Sequence, residues 1–133
     1  MTMIHIPRRI TRQFLFDYRG LANFIYGDTR SLDGDGGQAK QARGEPNAWP
    51  VMVKYFRCVN DECSFLTDNL LEENVAHIRT QMERVPRELP IIVFPKLGGG
   101  WNKMQEKAPR TYDRMREIIR WYAGDMLINP EDL

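Results

Sequence analysis

The chain has 133 residues, of which 42% are apolar and 28% charged, and its net charge is +1. This length allows one domain with its own apolar core, and the composition excludes disordered, collagen-like and coiled-coil proteins. The near-zero charge disfavours nucleic acid as a partner, although a local basic patch stays open. We expect residues 1–133 to form a single domain, with flexible ends at residues 1–7 and 125–133.

No apolar run approaches the ~18 residues of a membrane-spanning helix, and the basic N-terminus lacks the apolar core of a secretory signal. We therefore expect a cytoplasmic protein without a membrane partner. Cys58 and Cys63 share one polar segment and are expected to be reduced thiols, with a disulfide bridge or an intermolecular metal as lesser alternatives. The two histidines, His5 and His77, have no zinc-finger spacing, so no metal and no cofactor is predicted.

Apolar residues alternate between strand-like and helix-like spacing along the chain. Strands are predicted at residues 2–6, 23–27, 49–56 and 91–94, and helices at residues 8–18, 38–43, 68–84 and 108–123. Because strands alternate with helices, the pattern predicts an α/β fold with a mixed or parallel sheet and helices on both faces. The last residues, 129–133, are expected to be frayed.

Six of the ten glycines fall in two short segments, each after a predicted strand. Gly34, Gly36 and Gly37 form the first segment, and Gly98, Gly99 and Gly100 form the second. Ligands of open α/β sheets bind beyond the carboxyl ends of strands, and glycine lets backbone amides approach an anion, so the two segments predict a diphosphate site. Two tight turns that need positive φ are the alternative. Asp33 and Asp35 argue against a phosphate lying directly on the first segment; they would instead bind a divalent cation or face solvent.

Several side chains beside these segments are candidates for ligand contact. Asp28 is the first, as an acceptor for a ribose hydroxyl or base amine and as the one candidate catalytic residue; a cap or turn role is its alternative. Tyr26 and Trp101 would stack on a base, and Lys54, Lys96 and Lys103 would supply charge. The predicted ligand-binding set is Gly27, Asp28, Gly34, Gly36, Gly37, Gln38, Asn47, Lys54, Lys96, Gly98, Gly99, Gly100 and Trp101. Neither a P-loop, a dinucleotide fingerprint nor a Ser-His-Asp or Cys-His set is present.

Residues 24–28, 34–39 and 43–48 together resemble a family of small proteins common in bacteriophage genomes. In that family a strand ending in Phe-Gly-Asp-Asn precedes Gly-x-Gly-Gln-Ala and Arg-Gly-x-Pro-Asn-Ala. The resemblance extends to Tyr112, and its arrangement is similar to that of macro domains, which hold ADP-ribose between two glycine-rich loops. It implies a three-layer α/β/α sandwich with a mixed sheet, and it puts Gln38 and Asn47 near the pocket. Thr29 stands where the family has Asn.

Two functions follow as expectations. The first is a nucleotide-binding, macro-like module of phage origin that binds ADP-ribose or a related signal and counteracts host defence, by sequestering the signal or by hydrolysing an ADP-ribosyl linkage. Binding is favoured over turnover because no general base is evident. The alternative is a protein-interaction module with a degenerate pocket that inhibits or redirects a host protein through Trp101 and residues 57–64. The oligomeric state is left open.

Overall fold

The computed structural model describes residues 4–34, 37–56, 65–96 and 99–133. It contains helices and strands in alternation, as the sequence predicts. The helices are α1 (Arg12–Asp17), α2 (Gly37–Ala42), α3 (Leu71–Glu83), α4 (Gly99–Lys107) and α5 (Pro109–Ala123), and the strands are β1 (Asn23–Thr29), β2 (Ala48–Lys54) and β3 (Ile91–Val93). Short 3-10 turns occupy Asp68–Leu70, Gly124–Met126 and Pro130–Asp132.

The three strands form one sheet in the order β2-β1-β3. Both pairings are parallel, with Phe24 opposite Ala48 on one side and opposite Ile92 on the other, so the expectation of a mixed sheet is wrong for these strands. The carboxyl ends of all three strands therefore lie at the same edge of the sheet, which we call the carboxyl edge. The register of the β1–β2 pair slips between Asp28 and Thr29, so that Thr29, the last residue of β1, lies opposite Lys54.

The central strand β1 divides the apolar core into two clusters, because successive side chains of a strand point to opposite faces. Phe24 and Tyr26 belong to a cluster that includes buried residues of α1 and α2. Ile25 belongs to the other cluster, which includes buried residues of α3, α4 and α5. The sheet is therefore buried on both faces, as the apolar character of β3 predicts.

Both outer strands have backbone groups that are capped by side chains. The amide N–H of Met52 in β2 donates to Oε1 of Gln81 on α3 at 2.9 Å. On β3, the Val93 N–H donates to Oδ1 of Asn129 at 2.8 Å, and Asn129 Nδ2 donates back to the Val93 carbonyl at 2.5 Å. These contacts cover polar groups that would otherwise pair with another chain.

The segment from Leu127 to Leu133 is packed rather than frayed. Leu127 forms a parallel bridge with Ile91, Asn129 is 2% exposed, and the Tyr112 hydroxyl donates to the Leu133 main-chain oxygen at 3.0 Å. The expectation of a loose end is wrong here because the Asn129 amide substitutes for a strand backbone. Nothing in the hydrophobic pattern of this polar stretch signals that role.

Other boundaries differ from those predicted. Residues 4–6 are not a strand, and residues 1–3 lie outside the described residues. The first helix begins only at Arg12, because the Thr11 side chain caps it by accepting the Phe14 N–H at 3.1 Å. The second glycine segment is expected to be a loop, but Gly99 and Gly100 open α4, which the sequence pattern missed. Cys58 and Cys63 lie outside the described residues.

Candidate functional site

The carboxyl edge gathers most of the described residues that the sequence singles out. Asp28 lies near the end of β1, Lys54 ends β2, and Lys96 follows β3 by three residues. The first turn of α4 begins at the same edge, directly after the loop that leaves β3. The start of α2 and the residues directly after β3 also approach each other, because Gln38 Nε2 in α2 donates to the Pro95 carbonyl at 3.3 Å.

Asp28 is held by a bidentate ion pair with Arg43. Arg43 Nε donates to Oδ2 at 3.1 Å, and Nη2 lies 3.0 Å from both carboxylate oxygens. Oδ1 also accepts the N–H of Gly34 at 3.0 Å and that of Thr29 at 2.7 Å. The Asp28 side chain is fully buried, and its charge is compensated within the protein. Its observed contacts stabilise the loop after β1; contact with a ligand stays a prediction.

Tyr26 lies beneath this ion pair. Burial and the negative charge of Asp28 raise the pKa of Tyr26 to about 12, with a further contribution from its hydrogen bond to Asp28. The ring is 2% exposed and packs against Phe94 with 5.9 Å between centroids. The prediction that Tyr26 offers a stacking surface is therefore wrong, because the ring is part of the core.

Gly34 and Gly100 allow close packing, whereas a Cβ on Gly37 would meet open space. A Cβ on Gly34 would lie 2.7 Å from Asp28 Oδ1, and one on Gly100 would lie 2.6 Å from Val53 Cγ2. Among the described glycines, positive φ occurs at Gly20, Gly44 and Gly124. The tight-turn alternative is thus wrong for Gly34, Gly37 and Gly100. Gly36 and Gly98 lie outside the described residues, and only the position of Gly99 at the start of α4 is described.

Trp101 is buried, with 6% of its surface exposed. A Cβ on Gly27 would lie 3.2 Å from its indole nitrogen, so β1 and α4 approach each other through this glycine. The expectation of an exposed Trp101 is wrong, because the first turn of α4 turns the ring into the core, whereas contact with a ligand stays a prediction. Residues 57–64, the other predicted contact segment, lie outside the described residues.

Gln38 and Asn47 connect segments of the backbone. Gln38 Oε1 accepts the Ile10 N–H at 3.0 Å while its Nε2 binds Pro95, which places Gln38 at the carboxyl edge. Asn47 precedes β2, at the opposite end of the sheet, where its Nδ2 donates to the Leu15 carbonyl at 3.0 Å. The buried Oδ1 of Asn47 has no hydrogen-bond partner among the described residues. The structure therefore brings Gln38, but not Asn47, to the candidate site.

The model of a family of unknown function, DUF7831, matches residues 7–118. The chain belongs to this family. No curated protein and no solved structure matches the chain. For this DUF7831 member, the match spans the whole carboxyl edge and ends within α5, before Trp121 and Asn129.

The lysines of the predicted site differ in their surroundings. Lys103 pairs with Glu106 on α4 at 3.6 Å, and the Lys54 ammonium lies 4.9 Å from the Phe65 ring centroid. The half-buried Lys96 lies 5.0 Å from the ring centroid of Tyr112, and it has no ion pair with any carboxylate in the described part of the chain. Of the three, Lys96 has the charge that is available to an anion.

Other chemistry is sparse. Within the described ranges no cluster of three or more His, Cys, Asp or Glu side chains is arranged to hold a metal ion. None of the helices described is both long and apolar enough to cross a membrane. Burial, and then the charges of Arg30 and Arg84, lower the pKa of His77, whose buried Nε2 has no hydrogen-bond partner among these residues.

Sequence reasoning missed Arg43 as the partner of Asp28. No local signal in the sequence links these two residues, which are 15 positions apart.

Proposed function

We propose that this DUF7831 member binds a small anionic ligand of the nucleotide class at the carboxyl edge. One observation carries the proposal: the half-buried Lys96, three residues after β3, has no acidic partner among the described residues. A half-buried cation without an acidic partner loses part of its hydration, and a bound phosphate would restore favourable interactions.

The surroundings of Lys96 add two further attractions for an anion. The first backbone N–H groups of α4, from Gly99 onward, have no partner within the helix and carry its positive dipole end. Arg116 Cζ lies 5.9 Å from the Tyr112 ring centroid that Lys96 also approaches. Arg116 Nη1 lies 4.0 Å from Asp113 Oδ1, and its buried Nε has no partner among the described residues. Asp28 does not oppose an anion here, since Arg43 neutralises it.

A nucleotide is favoured over a simple anion because the carboxyl edge extends across the ends of three strands. The two glycine segments follow β1 and β3 in the chain, and the Gln38–Pro95 contact joins residues next to them. We interpret the helices on the two faces of the sheet as a three-layer α/β/α sandwich of macro-like form, in which ADP-ribose or a related signal would lie across these segments. The phage setting and the role against host defence belong to this proposal as well.

We propose binding or sequestration rather than hydrolysis. Both carboxylate oxygens of Asp28 are engaged by Arg43, and one accepts two backbone N–H groups in addition. To orient a water or a ribose hydroxyl, Asp28 would have to give up part of this ion pair inside the protein. That step costs several kcal/mol, since it leaves a buried charge without its partner (~3 to 5 kcal/mol).

The test is a thermal-shift screen with ADP-ribose, ADP, NAD and cyclic nucleotides, followed by calorimetry with any ligand that shifts the melting temperature. At about 100 times its dissociation constant, a ligand adds roughly 2.7 kcal/mol of stability. Lys96→Ala should weaken binding about tenfold or more, which corresponds to the loss of one charge-assisted contact. Lys107→Ala is the matched control, because Lys107 is an exposed lysine at the other end of α4.

Two results would contradict the proposal. The first is the absence of any shift with all of these nucleotides, and the second is equal weakening by Lys96→Ala and Lys107→Ala. No shift together with capture of a host protein would instead favour the protein-interaction function.

A further inference from the structure

A groove lies between α3 and α5 and opens to solvent. Its volume is about 420 Å³, and it is lined by Arg79, Glu83, Arg114, Glu117, Ile118, Trp121 and Tyr122. Glu83 ends α3, and Trp121 and Tyr122 lie in the last turn of α5. None of the residues that line the groove is one of those assigned to the proposed ligand site.

The most exposed large apolar side chain in the described chain is at this groove. Trp121 is 73% exposed and stands against Tyr122 in an edge-to-face arrangement, with 4.9 Å between ring centroids. The Tyr122 hydroxyl donates to Glu83 at 3.1 Å, and the Arg87 guanidinium lies 4.8 Å from the Tyr122 ring centroid. Tyr122 is thus fixed in place, and it supports an indole that water covers on most of its surface. Tryptophan in such a position is typical of binding hot spots.

The charges around Trp121 are mixed on both walls of the groove. The α3 wall carries Arg79 and Glu83, and the α5 wall carries Arg114 and Glu117, which lie 3.6 Å apart. A partner of a single charge sign would be repelled by half of these groups. A surface that carries exposed charges of both signs can instead pair with its own copy about a two-fold axis, where each sign meets the other.

We propose that the α3–α5 groove is the contact surface between two copies of this chain, with Trp121 of each copy packed against the groove of the other. The net charge of +1 imposes little repulsion between the copies. Stable interfaces bury about 800 Å² per partner, and a groove lined by seven residues covers less than that, so the dimer is weak and dissociates on dilution. The dimer goes beyond the proposed ligand binding and does not depend on it.

Sedimentation velocity over a wide concentration range tests the dimer. The wild-type chain should shift from monomer to dimer as concentration rises, and Trp121→Ala should remain monomeric with an unchanged circular dichroism spectrum. Leu21→Ala is the matched control, because Leu21 is 59% exposed and lies just before β1, outside the groove. A wild-type chain that is monomeric throughout, or a dimer that Leu21→Ala weakens as much as Trp121→Ala does, would overturn the proposal.

A charge exchange tests the arrangement of the two copies. One variant carries Arg79→Glu with Arg114→Glu, and the other carries Glu83→Lys with Glu117→Lys. In each variant the four charged side chains of the groove have the same sign, so each variant should be monomeric alone. An equimolar mixture of the two variants should form the dimer again. Failure of the mixture to associate, while the wild-type chain still dimerises, would place the interface on another surface and contradict the proposal.

Discussion

Arg43, directly after α2, and Asp28, near the end of β1, form a bidentate ion pair that closes the loop between these elements. The Arg43 guanidinium also donates to the Gly34 carbonyl at 2.6 Å, so a single side chain fixes both the carboxylate and the loop backbone. The Asp28 side chain is fully buried, whereas 33% of the Arg43 side chain is exposed. Because of this difference in exposure, replacing Arg43 and replacing Asp28 should change the free energy of unfolding by different amounts.

Arg43→Ala should destabilise the protein more than Asp28→Asn does. Removing Arg43 leaves a buried carboxylate without its counter-charge, at a cost of about 3 kcal/mol, whereas Asn at position 28 still accepts the Gly34 N–H and leaves an arginine that reaches water, at a cost of about 1 kcal/mol. Urea unfolding of both variants measures the difference.

The double variant provides the control for this order. Asp28→Asn combined with Arg43→Ala should cost less than the sum of the single changes, since no charge remains buried. Additive costs would show that the two side chains act independently. An Asp28 variant also loses stability, so loss of activity in it identifies a catalytic role only if the unfolding free energy is measured alongside.

Gly100→Ala should destabilise the protein by about 1 to 3 kcal/mol, the usual cost of overpacking. The added methyl would lie 2.6 Å from Val53 Cγ2, and the gain of up to about 1 kcal/mol in helix propensity does not offset this clash. Val53→Ala in the same chain should recover part of the loss, because it removes the opposing methyl groups. Gly37→Ala is the matched control at the start of α2, where no atom lies within 4 Å of the added methyl, and it should be neutral or stabilising. Equal losses at the two positions in thermal unfolding would contradict the packing argument.

The regular elements could be predicted from the sequence where a face is repeatedly apolar. The α5 residues Tyr112, Met115, Ile118 and Ile119 recur at helical spacing, and all four are buried. The apolar run that became β3 was likewise recognisable, because a strand covered on both faces has no polar positions to interrupt it. The alternation of such elements was enough to predict an α/β fold.

The details of the candidate site could not be predicted in the same way. The distance from Gly100 to Val53 depends on how α4 packs on β2, and a glycine pattern favours a ligand loop as much as a close helix contact. The partner of Asp28 lies across a loop and a helix, so spacing gives no indication of it. Asn129 in a polar tail gave no sign that its amide would bind β3.

Asn129→Ala should lower stability by about 2 to 4 kcal/mol and expose the outer edge of β3. The change removes two hydrogen bonds to the Val93 backbone and leaves both Val93 groups unsatisfied, at about 1 to 3 kcal/mol for each buried group. An open strand edge also promotes association with other chains, so the variant should aggregate on heating. Amide hydrogen exchange at Val93 gives the direct measurement. Slow exchange at Val93 in the variant would show that another group covers this edge.

The ion pairs of Glu45 should make stability depend on pH below neutrality. Arg19 donates to Oε2 at 2.6 Å and Arg12 donates to Oε1 at 3.1 Å. The hydrogen bond from Arg19, and then the charges of both arginines, lower the pKa of Glu45 from 4.5 against the opposing effect of burial. The unfolded chain therefore binds a proton at Glu45 more readily than the folded chain does, and this contribution to stability is present above pH 4.5 and is lost as pH falls through the pKa of the folded state.

Glu45→Gln should accordingly remove part of the acid destabilisation. The difference in unfolding free energy between wild type and variant should be greatest near neutral pH and should shrink from roughly pH 5 down to pH 3. Both arginines are about half exposed, so added salt should reduce the difference at neutral pH. Glu106→Gln is the matched control, because Glu106 forms an exposed pair with Lys103 that contributes little to stability. A wild-type and a Glu45→Gln profile that run parallel from neutral pH to pH 3 would contradict the role assigned to the two arginines.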